Sequence, residues 1–235
     1  MWYRYSIDNL NNTRLPQSGD KPTDSLHIFD IDDTLFHTNA QIDVVDPMGN
    51  VVESLTNQEF NNHTLPEGYK YNFDQFTDAN KFATESNPIY NMLAKVRRIY
   101  QNVQAKNARE GTNSKVILST ARSDFDNKAT IIKFFKEHGI PIDEGIYLHR
   151  AGNVPGSAPP AEKKNFVLES QYLKPGHNIR YITFYDDSKK NLQAFLRLQK
   201  QYPGVKFKAF HVRPDGSTKV WNQKAIEREL QQKDF

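Results

Sequence analysis

The amino-acid sequence predicts a three-layer α/β fold, in which a mainly parallel β-sheet lies between two layers of helices. Short apolar runs that end in polar residues alternate along the chain with segments whose apolar residues recur every three or four positions. Strands that alternate with helices predict a parallel sheet with right-handed crossovers. The chain has 235 residues, a length that suits one such domain carrying an insertion.

Five apolar runs are predicted to be the main strands of this sheet, because each is short and is bounded by polar or turn-forming residues. They are residues 26–29, 116–118, 145–148, 181–184 and 207–212. The turn sequence Pro214-Asp215-Gly216 follows the last run, and a partner strand is predicted beyond it at 218–220.

Amphipathic patterns between these runs predict the helices. The patterns lie at 89–103, 131–135, 166–173 and 192–198, and a last short helix is predicted at 225–231. Pro88 is expected in the first turn of the first helix, where a backbone N–H would have no partner. Gly139 is expected to cap the end of the second helix, and Pro203-Gly204 is expected to stop the fourth.

Residues 36–87 are predicted to be an insertion, a β-hairpin flap or small cap that follows the first strand. The β-prone runs 42–45 and 51–55 flank Asp46-Pro47-Met48-Gly49-Asn50, a strong turn sequence. Residues 56–87 are rich in asparagine and aromatic side chains, which either form a small core of the insertion or stack against a nucleobase. The predicted division of the chain is residues 1–24 as an irregular N-terminal extension and residues 25–235 as the core domain.

The composition excludes several classes of function. The chain has no cysteine, which excludes disulfides, thiolate metal sites and a cysteine nucleophile, and which fits a reducing compartment such as the cytoplasm. It has no apolar run of about 18 residues and no apolar stretch near its N-terminus, so we expect neither a membrane partner nor a secretory signal. A net charge of +3 is too small to indicate nucleic-acid binding by itself.

Acidic and hydroxyl side chains end three of the predicted strands. Asp30 and Asp32 follow the first strand, Thr120 the second, and Asp186 and Asp187 the fourth. The carboxyl ends of parallel strands lie at one edge of a sheet, so these groups are expected to meet there. Clustered carboxylates repel one another, and a divalent cation relieves that repulsion. Oxygen ligands without histidine or cysteine favour Mg²⁺, which commonly joins carboxylates to a substrate phosphate.

Four segments, in this order, resemble the four signatures of the haloacid dehalogenase (HAD) superfamily. They are Asp30-Ile31-Asp32-Asp33-Thr34, Leu118-Ser119-Thr120-Ala121-Arg122, Lys163-Lys164 and Tyr185-Asp186-Asp187-Ser188-Lys189-Lys190-Asn191. The resemblance covers residues 26–212 and implies a Rossmann-like core. The short flap and the aromatic insertion also resemble those of uncharacterised HAD-like proteins of tailed phages, which implies a location in the host cytoplasm.

The resemblance implies a role for each matched residue. Asp30 would be the nucleophile that forms an aspartyl-phosphate, and Asp32 would protonate the leaving oxygen and then activate water. Thr120 would bind the transferring phosphoryl group, and Lys164 or Lys163 would neutralise its charge. The implied Mg²⁺ ligands are Asp30, the backbone carbonyl of Asp32, Asp186 and, through water or through a bond to another ligand, Asp187.

Two of these assignments have a neighbouring residue as the alternative. Lys163 and Lys164 are separated by about 100° around a helix. Lys164 is preferred, because Leu168 then lies on the same face, four residues further on. Ser119 could replace Thr120, but strand alternation sends these two side chains to opposite faces, and we expect Thr120 to face the site.

Other residues near the signatures have alternative interpretations. Arg122 would either bind a substrate phosphate or form a surface ion pair, and Asn191 would hydrogen-bond near the acidic loop or touch the substrate. The pair Asp186-Asp187 could also cap the helix that begins near Ser188. His37 is the histidine expected to lie nearest to the pocket.

The residues and the resemblance together predict a Mg²⁺-dependent phosphatase that hydrolyses a phosphomonoester through an aspartyl-phosphate. An acid at the position of Asp32 favours a phosphatase or phosphomutase, because a dehalogenase needs no acid there. The expected substrate is a nucleotide or a phosphorylated nucleic-acid end, ahead of a phosphorylated small molecule. The alternatives are a phosphomutase or phosphotransferase of the same fold, and a non-catalytic module that binds a phosphate or a partner.

Overall fold

A β-sheet with helices on both faces forms the centre of the computed structural model, which describes residues 22–60, 62–222, 224, 225 and 227. The strands of these residues are β1 (Asp24–Phe29), β2 (Phe36–His37), β3 (Ile42–Val45), β4 (Val51–Leu55), β5 (Lys70–Asn72), β6 (Asn87–Pro88), β7 (Lys115–Thr120), β8 (Ile146–Arg150), β9 (Ile179–Asp186), β10 (Lys206–Val212) and β11 (Thr218–Trp221). The helices are α1 (Asn57–Phe60), α2 (Ala79–Glu85), α3 (Tyr90–Glu110), α4 (Lys128–Glu137), α5 (Pro160–Tyr172) and α6 (Lys189–Arg197). Short 3₁₀ turns lie at Asp74–Phe76, Ala151–Asn153 and Leu198–Lys200.

The central sheet is mainly parallel. In the described part of the chain its strands lie in the order β11-β10-β9-β1-β7-β8. The neighbours from β10 to β8 pair in parallel, and β11 pairs antiparallel with β10 at one edge. The predicted runs and the partner strand beyond the 214–216 turn are all present as strands of this sheet. The mixed α/β class with a mainly parallel sheet is therefore confirmed.

The strand order reverses at β1. From β1 the chain runs through α3 to β7 and through α4 to β8, and it then returns through α5 to β9 on the other side of β1. Helices α3 and α4 share one apolar core with the sheet, whereas α5 and α6 share the core on the opposite face. Parallel α/β sheets bind ligands at the carboxyl ends of strands where the order reverses. The end of β1 is therefore the expected binding position.

The residues of β1 connect the two cores. Leu26 and Ile28 belong to the core that contains α5 and α6, whereas Phe29 belongs to the core that contains α3 and α4. The Phe29 ring also stacks on the ring of Tyr185 in β9, with ring centroids 4.5 Å apart. Because β1 is covered on both faces, the residue that follows it, Asp30, is buried as well.

The helix boundaries agree with one predicted signal and disagree with another. Gly139 follows α4 with a φ of 72°, the left-handed conformation that glycine adopts after a helix end. The prediction that Pro88 lies in the first turn of α3 is wrong, because Pro88 pairs with Phe36 in a short antiparallel ladder. Ile89 N donates to Leu35 O at 2.9 Å, so the chain stays extended until α3 begins.

Helix α5 turns a lysine, rather than its phenylalanine, to the core. The helix predicted at 166–173 is present, but it begins earlier, at Pro160. Phe166 is 57% exposed, whereas Lys164 and Leu168 are buried. Lys164 and Leu168, four residues apart, therefore lie on the inner face of α5, whereas Phe166 lies on its outer face.

The insertion forms an antiparallel sheet in the order β4-β3-β5, of which the sequence predicted two strands. The predicted hairpin turn is present, and Asp46 Oδ1 accepts hydrogen bonds there from the N–H groups of Met48 and Asn50. Aromatic side chains of the insertion pack against one another in a series formed by Phe60, Tyr71, Phe73 and Phe76. Phe60, Tyr71 and Phe76 contribute to a small core of the insertion itself, as one of the two alternatives predicted.

Two predicted segments lie mostly outside the described residues. These are the irregular extension at 1–24 and the last short helix at 225–231. Both stay predictions, and so does the division of the chain into an extension and a core domain. Over the described ranges, each helix is too short or too polar to cross a lipid bilayer.

Candidate active site

Two buried carboxylates end neighbouring strands at the carboxyl edge of the sheet. Phe29 of β1 lies opposite Tyr185 of β9, and Asp30 N donates to Tyr185 O at 2.9 Å. Asp30 directly follows β1 and Asp186 is the last residue of β9, so the two aspartates lie at the ends of adjacent parallel strands. Asp30 is 5% exposed and Asp186 is 0% exposed. The register between β1 and β9 brings together these two aspartates, as the sequence predicted.

A lysine ammonium group lies between these two carboxylates. Lys164 Nζ donates to Asp30 Oδ1 at 2.6 Å and to Asp186 Oδ2 at 2.9 Å. Lys164 is buried, whereas Lys163, the alternative lysine, is partly exposed on α5. Of the two adjacent lysines, the structure brings Lys164 to the carboxylates.

Asp187 adds a third carboxylate to this group. One side-chain oxygen from each of Asp30, Asp186 and Asp187 lies within 4.8 Å of the other two, so the three residues could hold a metal ion. Asp187 N also donates to Thr34 Oγ1 at 3.1 Å, which ties the loop after β9 to the loop after β1. We call Asp30, Asp186, Asp187 and Lys164 the acidic cluster.

Ser188 caps α6, so the alternative in which the aspartates cap this helix is wrong. The Ser188 side chain accepts a hydrogen bond from Asn191 N. Asp186 instead accepts hydrogen bonds from Ser188 N at 2.7 Å and from Asn191 Nδ2 at 3.0 Å. Asn191 therefore hydrogen-bonds the acidic loop, as one of its two interpretations predicted, and it helps to fix the Asp186 carboxylate.

Burial raises the pKa of two carboxyl groups in the acidic cluster. For Asp30 it raises the pKa to about 8, with Lys164 opposing the change and Asp186 adding to it. For Asp187 burial raises the pKa to about 9, with the charges of Asp186 and Asp30 adding to it. Burial alone would lower the pKa of Lys164, but Asp186 and Asp30 outweigh it and raise that pKa. The ammonium group therefore stays charged, while the carboxyl groups lack enough positive charge to ionise together at neutral pH.

A divalent cation fits this imbalance of charge. Within the acidic cluster, three carboxylates face one ammonium group, so two negative charges are left over when every carboxyl group is ionised. A cation favours the ionised form of each carboxyl group that it contacts. The donors are all carboxylate oxygens, which suit a hard cation. The residues present therefore fit a divalent metal ion.

The carboxylate of Asp32, the remaining predicted aspartate, binds a different partner. Arg122 Nε lies 2.9 Å from Asp32 Oδ2 and Arg122 Nη2 lies 2.7 Å from Asp32 Oδ1, a bidentate ion pair. Thr120 Oγ1 lies 3.4 Å from Asp32 Oδ2 and accepts a hydrogen bond from Arg122 N at 3.1 Å. Asp32 is nevertheless close enough to the acidic cluster for its charge to raise the pKa of Asp30.

Arg122 matches neither of its two predicted roles. It is buried rather than on the surface, and its guanidinium group is bound to Asp32 instead of being turned toward a substrate. Sequence reasoning missed this pair because two further partners of the guanidinium group, Thr38 and Phe76, come from the insertion. One sequence signal could have predicted the pair: Arg122 comes two residues after Thr120, at the same edge of the sheet as Asp32, whose carboxylate needs a cation.

The turn after β1 contains a residue in the left-handed conformation. Asp33 has a φ of 57°, which aspartate tolerates better than most residues other than glycine. Its carboxylate accepts a hydrogen bond from Asn57 Nδ2 at 3.2 Å and lies 3.3 Å from His37 Nδ1. The other ring nitrogen of His37 lies 2.9 Å from Pro214 O. His37 thus joins this turn to the β10–β11 loop, and a place for it in the pocket stays a prediction.

No protein-family model matches this chain, and a search of the curated proteins finds no match either. The class of protein is therefore defined by the fold and the site. The chain is an α/β protein with a mainly parallel sheet. At the point where its strand order reverses, it carries a buried acidic cluster that is bridged by a lysine and could hold a metal ion.

Proposed function

We propose that the chain is a Mg²⁺-dependent phosphatase of the HAD type, which hydrolyses a phosphomonoester through an aspartyl-phosphate on Asp30. The position of Asp30 at the end of β1 supports this proposal, because α/β sheets of this kind bind ligands there. The order of the four resembling segments along the chain supports it as well. Lys164 contacts Asp30, the charge of Asp32 acts on Asp30, and Thr120 contacts Asp32, so each kind of group that the reaction needs is present at this edge of the sheet.

The observation that carries the proposal is the bridge that Lys164 makes between Asp30 and Asp186, with Asp187 beside it. A buried group of like charges is costly, and stability alone is weak reason to keep it. A cluster with excess negative charge and a fixed ammonium group suits a divalent cation together with the phosphate that the cation binds. The acidic cluster is therefore best explained as a site for phosphoryl transfer.

The first half of the proposed reaction forms the aspartyl-phosphate. Asp30 bonds to phosphorus while the bond from phosphorus to the leaving oxygen breaks. Asp32 gives its proton to that oxygen, so a neutral alcohol leaves. The Lys164 ammonium group and the Thr120 hydroxyl stabilise the negative charge on the transferring phosphoryl group.

The second half releases inorganic phosphate. Asp32, now a carboxylate, takes a proton from a water molecule whose oxygen attacks phosphorus. The bond from phosphorus to Asp30 breaks, which restores both the Asp30 carboxylate and the protonated Asp32. Mg²⁺ would be held by Asp30, the backbone carbonyl of Asp32, Asp186 and Asp187, and when bound it screens the charge of the phosphate from that of the nucleophile.

In this proposal the insertion acts as a small cap beside the site. Its residues Asn57 and Thr38 hydrogen-bond Asp33 and Arg122 at 3.2 and 3.0 Å. Because its aromatic rings pack against one another, they give little support for stacking a nucleobase. The proposed substrate is therefore a phosphomonoester in general: a nucleotide, a phosphorylated nucleic-acid end or a phosphorylated small molecule.

Hydrolysis of p-nitrophenyl phosphate with and without Mg²⁺ tests the proposal. A panel of nucleotides, sugar phosphates and oligonucleotides phosphorylated at either end then identifies the substrate class. We expect phosphate release that requires Mg²⁺ and stops when EDTA is added. Release that requires an added acceptor would indicate a phosphotransferase or phosphomutase. Absence of Mg²⁺-dependent release across the whole panel would overturn the enzymatic proposal in favour of a binding module.

A further inference from the structure

Arg122 is enclosed in a way that neither a surface ion pair nor a substrate-binding arginine requires. Its Nε and Nη2 atoms contact both oxygens of Asp32 at distances between 2.7 and 3.1 Å. Its Nη1 atom donates to Phe76 O at 2.8 Å, and Nη2 also donates to Thr38 Oγ1 at 3.0 Å. The Arg122 side chain is 1% exposed, so it offers almost no surface for a substrate to contact.

Aromatic rings surround the guanidinium group. The Cζ atom of Arg122 lies 4.6 Å from the ring centroid of Phe76, 4.8 Å from that of Phe82 and 5.4 Å from that of Phe125. Rings at these distances attract a planar cation and exclude water from it. Low solvent access also strengthens the hydrogen bonds between the cation and Asp32. The surroundings therefore fix the plane of the guanidinium group, and with it the plane of the carboxylate.

We infer that Arg122 is a positioning residue, which holds the Asp32 carboxylate in the orientation needed for proton transfer. The insertion completes this arrangement through Thr38 Oγ1 and the carbonyl of Phe76. The inference rests on the proposed function, because it requires Asp32 to give and take the proton. Only the planar fork of an arginine can hold both carboxylate oxygens at once, whereas a lysine would bind as a point charge.

Loss of Arg122 should resemble loss of Asp32 in a weaker form. A general acid matters most for a poor leaving group, such as the alkoxide of an alkyl phosphate, and least for p-nitrophenolate. General acid–base catalysis contributes roughly 10²- to 10⁴-fold, so we expect Asp32→Asn to lower kcat/KM for an alkyl phosphate by that factor. Arg122→Ala should remove part of the same contribution, about 10- to 100-fold. Both variants should lose much less of kcat/KM on p-nitrophenyl phosphate, because kcat/KM does not include the later hydrolysis of the aspartyl-phosphate, in which Asp32 acts on every substrate alike.

The experiment is a double-mutant cycle, measured on p-nitrophenyl phosphate and on the best alkyl phosphate found with the wild type. When Asp32 is already Asn, Arg122→Ala has no carboxylate left to position, so its further effect should be within about twofold. An equal loss from Arg122→Ala in both backgrounds, or unchanged activity in that variant alone, would overturn the inference. Partial rescue of Arg122→Ala by low concentrations of guanidinium chloride, but not by sodium chloride, is expected as well, and equal effects of the two salts would count against it.

Milder variants keep the test valid if Arg122→Ala fails to fold. Thr38→Val removes one acceptor at nearly constant volume, and Arg122→Lys keeps the charge, so both should lower activity selectively on the alkyl phosphate. Arg97→Ala is the matched control, because Arg97 Nη1 donates to a different backbone carbonyl, that of His138. In this variant the ratio of kcat/KM for the two substrates should equal the ratio in the wild type. A uniform loss in all Arg122 and Thr38 variants, beside a selective loss in Asp32→Asn, would contradict this inference alone. A wild type that is inactive on every substrate would contradict the proposed function instead.

Discussion

Burial and the negative charge of neighbouring carboxylates, Asp186 among them, raise the pKa of Asp30 and of Asp187. Lys164 compensates part of that charge and remains an ammonium group because two of the carboxylates contact it. At the scale of single residues, the site is therefore short of positive charge. A cation and a phosphate that arrive together would complete it, which is why the nucleophile and the lysine are the residues to test first.

Asp30→Asn should abolish turnover and leave the fold intact. The amide has nearly the shape of the carboxylate and its oxygen can still accept from Lys164, but it is too weak a nucleophile to form the aspartyl-phosphate. Steady-state phosphate release measures the turnover, and the unfolding midpoint measures the fold. Unchanged turnover in the folded variant would remove Asp30 as the nucleophile.

Lys164→Ala should lower kcat by roughly 10²- to 10³-fold, the loss typical of removing one group that stabilises developing charge. Lys163→Ala is the matched control, since Lys163 is the next residue of α5 and is partly exposed. Its rate should stay near that of the wild type. Rates at saturating Mg²⁺ are compared with free energies of unfolding, which separates catalysis from stability. The reverse ranking of the two variants would contradict the assignment of Lys164.

The sequence was sufficient to predict the acidic cluster but not the partner of Asp32. Strand ends indicated Asp30 and Asp186, and helical spacing against Leu168 favoured Lys164, because both signals are local and periodic. The ion pair between Asp32 and Arg122 joins residues 90 positions apart. This ion pair depends on how the insertion folds over the loop after β7, and no local sequence pattern determines how two such distant segments pack.

At the scale of elements, a close contact between two loops sets the place of Arg122. Gly152 lies in the 3₁₀ turn after β8, and its N–H donates to Arg122 O at 3.1 Å. A Cβ atom at Gly152 would lie 2.5 Å from Ala121 O and 2.6 Å from Arg122 C. Backbone atoms cannot move aside as a flexible side chain can, so this position has room only for glycine.

Gly152→Ala should lower the free energy of unfolding by about 1–3 kcal/mol, the usual cost of overpacking, and should also lower turnover. The loop that carries Arg122 must shift to admit the methyl group. Gly204→Ala is the control, because a Cβ atom there meets no heavy atom within 4 Å. Urea unfolding measures both variants, and equal free energies of unfolding for the two would contradict the predicted crowding.

The elements that the sequence missed are those specified by distant partners. Turn residues predicted the β3–β4 hairpin and the end of α4, because their signals are local. Strand β5 has only three residues and is defined by its pairing with β3. Pro88 was predicted to lie in the first turn of a helix, but its pairing with Phe36 keeps the chain extended there. Short elements of this kind are set by tertiary contacts more than by propensity.

At the scale of the whole molecule, alternation of strands and helices was enough to predict the sheet, because crossovers and parallel pairing follow general rules. Where the strand order reverses was not predicted, and that reversal at β1 is what joins β1, β9 and α5 at one place. The fold thus brings several buried charged groups together at the carboxyl edge of the sheet. The free energy of unfolding that this burial costs should be measurable as a dependence of stability on pH.

Asp30 and Asp187 should lower the stability of the metal-free protein as the pH rises from about 4 to about 9. The unfolded chain loses the protons of Asp30 and Asp187 near their ordinary pKa of 3.8, whereas the folded chain keeps them up to pKa values of about 8 and about 9. Across that range the unfolded state binds fewer protons, so the free energy of unfolding falls as the pH rises. Saturating Mg²⁺ should remove most of this fall, because it favours the ionised carboxylates.

Urea unfolding in EDTA and in Mg²⁺, for the wild type and Asp187→Asn, measures this dependence. The variant should show a shallower fall in EDTA, because it lacks one of the titrating groups. His27 contributes the opposite slope between about 4 and 6.5, since burial and the charge of Lys106 lower its pKa to about 4. This contribution is common to both proteins and cancels in their difference. Identical profiles of wild type and variant would show that Asp187 does not titrate as described.

The central claim, an aspartyl-phosphate on Asp30 held in the acidic cluster, is tested most directly by a crystal structure with Mg²⁺ and beryllium fluoride. Beryllium fluoride bonded to a carboxylate has the shape and charge of a bound phosphoryl group. We predict density for it on an oxygen of Asp30, in contact with Lys164, and a Mg²⁺ ion ligated by Asp30 and Asp186. Beryllium fluoride bound at any other residue, or a cluster that stays empty at saturating concentrations of both ions, would contradict the account.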